Sequence, residues 1–161
     1  MNITRNVGTL LVTCVLVAAC IAPARSAVDC KFGVASGVAF GNYDPFAGGA
    51  TTSNGTLDFH CTGVGSGIVE VTVDLSKGSS PTYTPRTMLN GLTAMNYNLY
   101  VDSFGLVIWG DGTGGSFPYG PFGVANNQTV TLTMYGQIPA GQDLPPVSYS
   151  DTITATVNFL R

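Results

Sequence analysis

The sequence predicts an all-β protein, an antiparallel sandwich of about seven strands with no convincing helix. Two observations carry this prediction. Segments that alternate apolar with polar residues recur along the chain, and clusters of Gly, Pro, Asn and Asp separate them. Charged residues make up 9% of the 161 residues, against 21 glycines, a composition typical of an exported β-rich protein.

The first half of the chain contains three predicted strands. Residues 31–40 form the first, with four apolar side chains on one face: Phe32, Val34, Val38 and Phe40. Two glycines interrupt this strand, so it is expected to bend or bulge. It ends before Asp44-Pro45, because proline cannot donate to a ladder. Residues 56–61 and 68–75 alternate in the same way and predict the next two strands.

The second half begins with a turn-rich connection at 77–91. Alternation then predicts a strand at 95–101, a short strand at 106–109 and another strand at 129–135. Residues 110–128 are rich in Gly, Pro and Asn and predict a surface loop. Three aromatic side chains of this loop are expected to be partly exposed: Phe117, Tyr119 and Phe122.

The last predicted strand, residues 149–159, shows the clearest alternation. Its apolar face carries five side chains: Tyr149, Ile153, Ala155, Val157 and Phe159. Ser, Thr and Asn occupy the other face, which is typical of a half-buried strand. Unpaired N–H and C=O groups at a sheet edge are a template for pairing. We therefore expect this strand either to close the sheet with an earlier segment or to leave an edge for another chain.

Residues 1–26 are predicted to be a signal peptide, followed by a single domain at 27–161. Arg5 precedes an apolar run at 7–22, and Ala24-Arg25-Ser26 places small residues at the two positions that a signal peptidase reads. The apolar run is too short for a membrane span, so no membrane insertion is expected.

A lipoprotein signal is the alternative interpretation of this leader. The residues Val17-Ala18-Ala19-Cys20 resemble a lipobox, after which a bacterial lipoprotein is cleaved and lipidated on its cysteine. Cleavage before Ala27 is preferred, because a good ordinary cleavage site lies just downstream. In the alternative, the protein would be a lipoprotein lipidated on Cys20.

Two cysteines, Cys30 and Cys61, remain in the predicted mature domain once Cys14 and Cys20 leave with the leader. An even pair in an exported protein predicts one disulfide. No metal site is expected. Only His60 could add an imidazole ligand, and it directly precedes Cys61, so strand alternation points the two side chains to opposite faces.

Charge and motif content argue against several classes of function. Removing Arg5 and Arg25 from the six basic residues leaves four, against nine acidic ones, so no basic stripe exists for nucleic acid or an anionic membrane. His60 belongs to no nucleophile motif, and no carboxylate pair is close in sequence, so no enzyme activity, catalytic residue or cofactor is predicted. Arg86 is expected to make one structural ion pair.

A series of short motifs follows one order along the chain. They are Phe40-Gly41-x-Tyr43-Asp44-Pro45, Arg86-x-Met88, Leu99-Tyr100, Trp109-Gly110-Asp111-Gly112, Tyr135-Gly136-x-Ile138-Pro139-Ala140-Gly141-Gln142 and Tyr149-Ser150-Asp151-Thr152 leading to Val157-Asn158-Phe159. With these motifs, and a cysteine on the strand after the first, the chain resembles the spore coat protein U family. This domain is shared by myxobacterial spore coat protein and by pilins of the archaic chaperone–usher pathway. The resemblance extends from Cys30 to Phe159.

The resemblance implies an incomplete immunoglobulin-like sandwich of about six to seven strands, completed by a donor strand. A periplasmic chaperone and then a neighbouring subunit would supply that strand, and an outer-membrane usher would pass the subunit to the cell surface, a pilus or a spore coat. The implied function is a non-catalytic structural subunit. By analogy, the donor-strand groove lies between the first and last strands, with these residues: Phe32, Val34, Val38, Phe40, Ile153, Ala155, Val157 and Phe159.

One departure from the family pattern concerns strand donation. Pilins of the family carry an alternating apolar donor segment before their first cysteine, whereas only Ala27-Val28-Asp29 would precede Cys30 here. Three residues are too few for a strand. We therefore expect a subunit that accepts a strand without donating one, at a fibre end or in a coat that assembles otherwise. The alternative function is a terminal, tip-like adhesive binding module that uses the aromatic loop at 110–128.

Overall fold

The structure is a computed structural model that describes residues 27–160. The predicted signal peptide and the alternative lipidation site at Cys20 lie outside these residues. The described chain contains eight strands and no helix: β1 (Asp29–Ser36), β2 (Thr51–Thr62), β3 (Ile68–Leu75), β4 (Arg86–Asn90), β5 (Thr93–Tyr100), β6 (Tyr119–Ala125), β7 (Thr129–Ile138) and β8 (Ala155–Leu160). The predicted all-β antiparallel architecture is confirmed.

The strands form two antiparallel sheets. The larger sheet has the order β1-β2-β7-β5-β4, and the smaller has the order β6-β3-β8. The longest ladder joins β2 to β7, from Thr51 opposite Ile138 to His60 opposite Thr129. Alternate side chains of both sheets are buried between them, as the period of two requires. The edge strands are therefore β1 and β4 in one sheet, and β6 and β8 in the other.

Three of the predicted assignments in the middle of the chain are wrong. Residues 119–125, predicted as loop, form β6, and residues 86–90, predicted as part of a connection, form β4. The predicted strand at 106–109 makes only isolated bridges. In β6 the apolar side chains of Phe122 and Val124 pack against the core, so tertiary packing overrides the low strand propensity of Gly and Pro.

The first and last strands are both shorter than predicted. β1 ends at Ser36, and its register with β2 shifts between Phe32 and Ala35, which is a bulge of the kind that the glycines predicted. The bulge leaves the Val34 side chain 74% exposed. β8 begins at Ala155, so the residues from Tyr149 to there do not belong to its ladder with β3.

The disulfide between Cys30 and Cys61 joins β1 to β2. The two cysteines lie directly opposite each other in the ladder, and Cys61 is fully buried in the core. The predicted bond is therefore present, and it ties an edge strand to the centre of the larger sheet.

After β1 the chain crosses the inner face of the larger sheet. Val38 and Phe40 pack against the core, and the Phe40 ring stands 6.2 Å from the ring of Tyr97 on β5. Two glycines leave room for this crossing. A Cβ at Gly55 would lie 2.6 Å from the carbonyl oxygen of Ser36, and one at Gly136 would lie 2.5 Å from Val38 Cγ1. The sequence positions of these glycines are thus explained by close approach of a crossing chain.

Replacing Gly136 with alanine is expected to lower the free energy of unfolding by about 1–3 kcal/mol, because the added methyl group overpacks against Val38 and Phe40. Urea unfolding followed by the fluorescence of the buried Trp109 measures the change. Gly37→Ala is the matched control in the crossing segment itself, since a Cβ there meets nothing within 4 Å. Equal effects of the two substitutions would contradict the explanation that Gly136 leaves room for the crossing segment.

Candidate functional site

Three of the four sheet edges carry features that hinder pairing with another chain. β6 contains Pro121, which has no N–H, and its register with β3 shifts. β1 is bulged. The edge of β4 is occupied, because the Leu89 N–H donates to the Ser150 carbonyl at 2.8 Å and the Ser150 N–H donates back at 3.1 Å.

The outer edge of β8 has none of these features. Its six residues pair with β3 in unbroken register, from Ala155 opposite Leu75 to Leu160 opposite Glu70. Within residues 27–160, no strand pairs with its other side. Phe159 and Leu160 are 39% and 45% exposed on this edge strand. Of the described edges, β8 is therefore the one suited to accept a further strand.

An open groove of about 330 Å³ lies beside the start of β8. Two crossing segments form its walls. The first wall is residues 35–40, which continue from β1, and the second wall is residues 149–155, which lead into β8. The floor is made of core side chains from both sheets: Leu57, Leu75, Met88, Tyr97, Leu99 and Met134. The groove thus reaches down to the hydrophobic core, although its floor side chains are at most 9% exposed.

Half of the predicted groove residues line this groove. They are Val38, Phe40, Ile153 and Ala155. All four are partly buried against the core, as a wall facing inward requires.

The other four predicted groove residues do not line it. Phe32 packs edge-on against Phe59 at 6.3 Å, and Val34 points to solvent at the bulge. Val157 and Phe159 lie further along β8, where they pair with Val73 and Val71. The period-two pattern correctly placed Val157 against the core, but it could not show that the groove lies at one end of the two strands.

Sequence reasoning missed the side chains that hold the second wall in place. The Asp151 carboxylate accepts hydrogen bonds from the Ser79 N–H at 2.8 Å and from the Tyr97 hydroxyl at 2.6 Å. The Thr154 carbonyl accepts from the Ser76 N–H at 2.9 Å, and the Thr154 N–H donates to Ser76 Oγ at 2.9 Å. The sequence placed Tyr97 in the predicted strand at 95–101 and Asp151 in the motif before the last strand, but it predicted no contact between them.

The electrostatics of the groove come from two of its lining residues. Asp151 is the single acidic residue that lines it. Burial raises the pKa of the Tyr97 hydroxyl, and its hydrogen bond to Asp151 raises that pKa further. Tyr97 is therefore a neutral donor at physiological pH, and the rest of the lining is apolar or uncharged.

A second, wider cleft of about 680 Å³ adjoins the groove and shares Val38, Phe40, Met88 and Tyr149 with it. Its remaining lining includes residues 41–43 and 144–148. No ionisable side chain other than tyrosine lines this cleft. Together, the two cavities form one depression whose lining carries a single charged side chain, that of Asp151.

Comparison with known proteins agrees with this architecture. The family model for the Spore Coat Protein U domain matches residues 7–156. This chain belongs to the spore coat protein U domain family. It is also 30% identical over 142 residues to Protein U of Myxococcus xanthus, an alignment that covers 81% of this chain and 77% of that protein. The family takes its name from a spore coat protein.

A solved structure shares the fold of this spore coat protein U domain. It is the CsuC–CsuE chaperone–tip adhesion subunit pre-assembly complex from archaic chaperone–usher Csu pili of Acinetobacter baumannii. The match has a TM-score of 0.54 and 19% sequence identity, and it covers 83% of this chain. The chain spans 40% of the length of the chain that it matches there. Between residues 27 and 160, no helix is long and apolar enough to cross a membrane.

The aromatic residues predicted to form an exposed loop are placed differently by the fold of this spore coat protein U domain. Phe117 is 58% exposed, before the start of β6. Tyr119 and Phe122 lie on β6 and pack against the core, with Tyr119 5.1 Å from the Trp109 ring and Phe122 6.1 Å from the Phe59 ring. The three side chains therefore do not form one exposed surface, and the hypothesis of an adhesive aromatic loop keeps only Phe117.

The predicted ion pair of Arg86 is wrong. Among the described residues, the one ion pair joins Lys31 to Asp29. Arg86 is instead fully buried and donates to the carbonyl oxygens of Ser76 and Trp109 and to Asn98 Oδ1. Burial lowers the pKa of its guanidinium. The motif that contains Arg86 therefore serves the interior of the sandwich, below the loop that holds the second wall.

Proposed function

We propose that this chain is a non-catalytic structural subunit of an extracellular surface assembly, a spore coat or an archaic chaperone–usher pilus, and that it accepts a donor β-strand from a partner chain. The donor would pair with the outer edge of β8 and lay its apolar side chains in the groove between the first and second walls. The observation that carries the proposal is the conjunction of an unhindered edge at β8 with an opening into the core beside it.

Backbone hydrogen bonding and side-chain burial both favour the binding of such a donor. The free N–H and C=O groups of β8 can form a second ladder, which gives affinity with little dependence on the donor sequence. The groove floor is apolar, so inward donor side chains would each contribute roughly 1.5–2 kcal/mol by leaving water. A donor with apolar residues at alternate positions fits both requirements.

The partners follow from the family and from the complex described above. A periplasmic chaperone would cover the groove after export, and a neighbouring subunit would replace it during passage through an outer-membrane usher. The CsuC–CsuE complex pairs a chaperone with a tip adhesion subunit, which supports a chaperone as the first partner. A leader cleaved before Ala27 would place the protein on this route, and lipidation on Cys20 is the alternative that N-terminal sequencing of the mature protein distinguishes.

A fused donor strand tests the proposal. Residues 27–161 are expressed alone or followed by a short Asn-Gly turn and nine residues that alternate valine with threonine. We expect the bare domain to aggregate or to be degraded. The fused domain is expected to be a soluble monomer, with a free energy of unfolding higher by roughly 5 kcal/mol from about three buried valines. Size-exclusion chromatography and urea unfolding measure the two properties.

The control is a fused segment of the same composition in which the valines are contiguous, so that they cannot all point into the groove. This variant should behave like the bare domain. A bare domain that is monomeric and unfolds at the same urea concentration as the fused one would refute strand acceptance.

A further inference from the structure

Tyr97 connects the two walls of the groove from below. Its side chain is 4% exposed and rises from β5 into the groove floor. The ring meets Phe40 of the first wall edge-on, with 6.2 Å between centroids and 74° between the ring planes. The hydroxyl donates to Asp151 Oδ2 of the second wall at 2.6 Å. One side chain therefore touches both walls.

Asp151 is itself seated in a fixed position. Its Oδ1 accepts from the N–H of Ser79 at 2.8 Å and from its neighbour Thr152 at 2.8 Å. The carboxylate also lies against Gly78, where a Cβ would collide with both oxygens. Gly78 has a φ of 65°, so the loop takes a left-handed turn at the point where the carboxylate packs. This carboxylate thus joins the loop that begins at Ser76 to the second wall, beside the bonds between Ser76 and Thr154.

The second wall has few other links to the larger sheet. The bridge between Ser150 and Leu89 fixes it at β4, and the bonds between Ser76 and Thr154 fix it near β3. Between these two points the Tyr97 hydroxyl is the donor from the groove floor to the wall. The Tyr97 hydroxyl therefore ties Asp151 of the second wall to the groove floor, while Ser79 and Thr152 hold the other carboxylate oxygen.

We propose that Tyr97 and Asp151 are positioning residues that hold the two walls apart, so that the groove is open before a donor strand arrives. The inference rests on the proposed function. The Phe40 ring on one side and the Asp151 carboxylate on the other set the width that the donor backbone meets. Tyr97 fills the floor between them, and its hydroxyl keeps the second wall from closing over the floor of the groove.

A groove that is already open affects the association rate of the donor strand more than its dissociation rate. A wall that must be ordered during binding lowers the association rate and the affinity, because the ordering opposes binding. Once a donor strand occupies the groove, its own ladder and side chains hold both walls. Loss of the Tyr97 hydroxyl should therefore slow the entry of the donor and leave its release nearly unchanged.

The test uses Tyr97→Phe in residues 27–161 with the alternating valine–threonine nonapeptide as the probe. The unfolded chain is diluted from urea into increasing concentrations of peptide, and folding is followed by the fluorescence of Trp109. We expect the peptide concentration that half-saturates folding to rise about tenfold. The dissociation rate of the isolated complex, measured by competition with excess labelled peptide, should change by less than about twofold. Asp151→Asn should have the same effect.

The matched control is Tyr100→Phe, which removes a tyrosine hydroxyl from the same strand outside the groove lining. It should leave both quantities unchanged. If Tyr97→Phe binds the peptide with the affinity of the original chain, the inference is overturned while strand acceptance stands. A faster dissociation of the peptide would also overturn it, because the hydroxyl would then stabilise the complex and not the open groove. If the unsubstituted chain does not fold on addition of the peptide, both proposals are refuted. If Tyr97→Phe does not fold with any peptide, Asp151→Asn decides, since it leaves the Tyr97 side chain in place.

Discussion

Replacing Arg86 with methionine is expected to lower the free energy of unfolding of the donor-fused domain by about 3–5 kcal/mol. The side chain is fully buried, and its guanidinium makes hydrogen bonds in three directions. Nε and Nη2 donate to the Ser76 carbonyl at 3.1 and 2.9 Å, Nη2 also donates to the Trp109 carbonyl at 2.6 Å, and Nη1 donates to Asn98 Oδ1 at 2.8 Å. Methionine fills a similar volume and leaves the Ser76 and Trp109 carbonyls without these donors, whereas Asn98 Oδ1 still accepts from the Leu99 N–H at 3.0 Å.

The size of this effect comes from the acceptors that remain. An unpaired buried carbonyl costs about 1–3 kcal/mol, and two lose their donor at once. The loop that begins at Ser76 also holds Asp151, so the second wall should loosen together with the interior. We therefore expect lower peptide affinity as well as a lower urea midpoint.

Lys77→Met is the matched control for the Arg86 experiment. Lys77 Nζ stands 5.4 Å from the centre of the Tyr83 ring, and the Arg86 guanidinium stands 4.9 Å from it, so both cations face one aromatic ring. Loss of the lysine should cost at most about 1 kcal/mol, because it removes only a cation–π contact. Similar losses for the two variants would show that charge near Tyr83 matters and the hydrogen bonds of Arg86 do not.

Replacing both Cys30 and Cys61 with serine is expected to lower the free energy of unfolding of the donor-fused domain by about 3–4 kcal/mol. The disulfide closes a loop with a sequence separation of 31 between β1 and β2. Without it the unfolded chain gains conformational freedom, and β1 is held only by its ladder and by packing. Because the first wall continues directly from β1, the fraction of chain that folds with the donor peptide should also fall.

Reduction provides the control for the cysteine experiment. Reducing agent should bring the original domain to the urea midpoint of the double serine variant and should leave the midpoint of that variant unchanged. A midpoint of the original domain that does not respond to reductant under denaturing conditions would contradict a stabilising role of the bond.

Local patterns were sufficient for most of the strands. β2, β3, β5 and β7 each contain a run with a strict period of two, and the structure places those runs in strands whose alternate side chains are buried. β4 and β6 were missed, because Gly, Pro and polar residues give them weak local signals. They form strands since a neighbouring strand offers backbone partners, which a single segment does not reveal.

The predictions for single groove residues were also partly right and partly wrong. Alternation placed Val38, Phe40, Ile153 and Ala155 on apolar strand faces, and the family resemblance assigned them to the groove that they line. Alternation also selected Phe32 and Val34, because a pattern of two continues across a bulge that in the structure turns Val34 outward. The partners of Asp151 and Arg86 lie far away in sequence, so their roles depended on the fold.

By itself, the sequence determined that this protein is an antiparallel β-sandwich with a disulfide between Cys30 and Cys61. The alternation of apolar residues reveals the strands, and the two cysteines left in the predicted mature domain form one pair. Only the tertiary structure decided which sheet edge is left unhindered and where the core opens. Those properties depend on where the two crossing segments lie relative to the sheets. That placement is set by contacts between residues distant in the chain, such as Phe40 with Tyr97 and Tyr97 with Asp151.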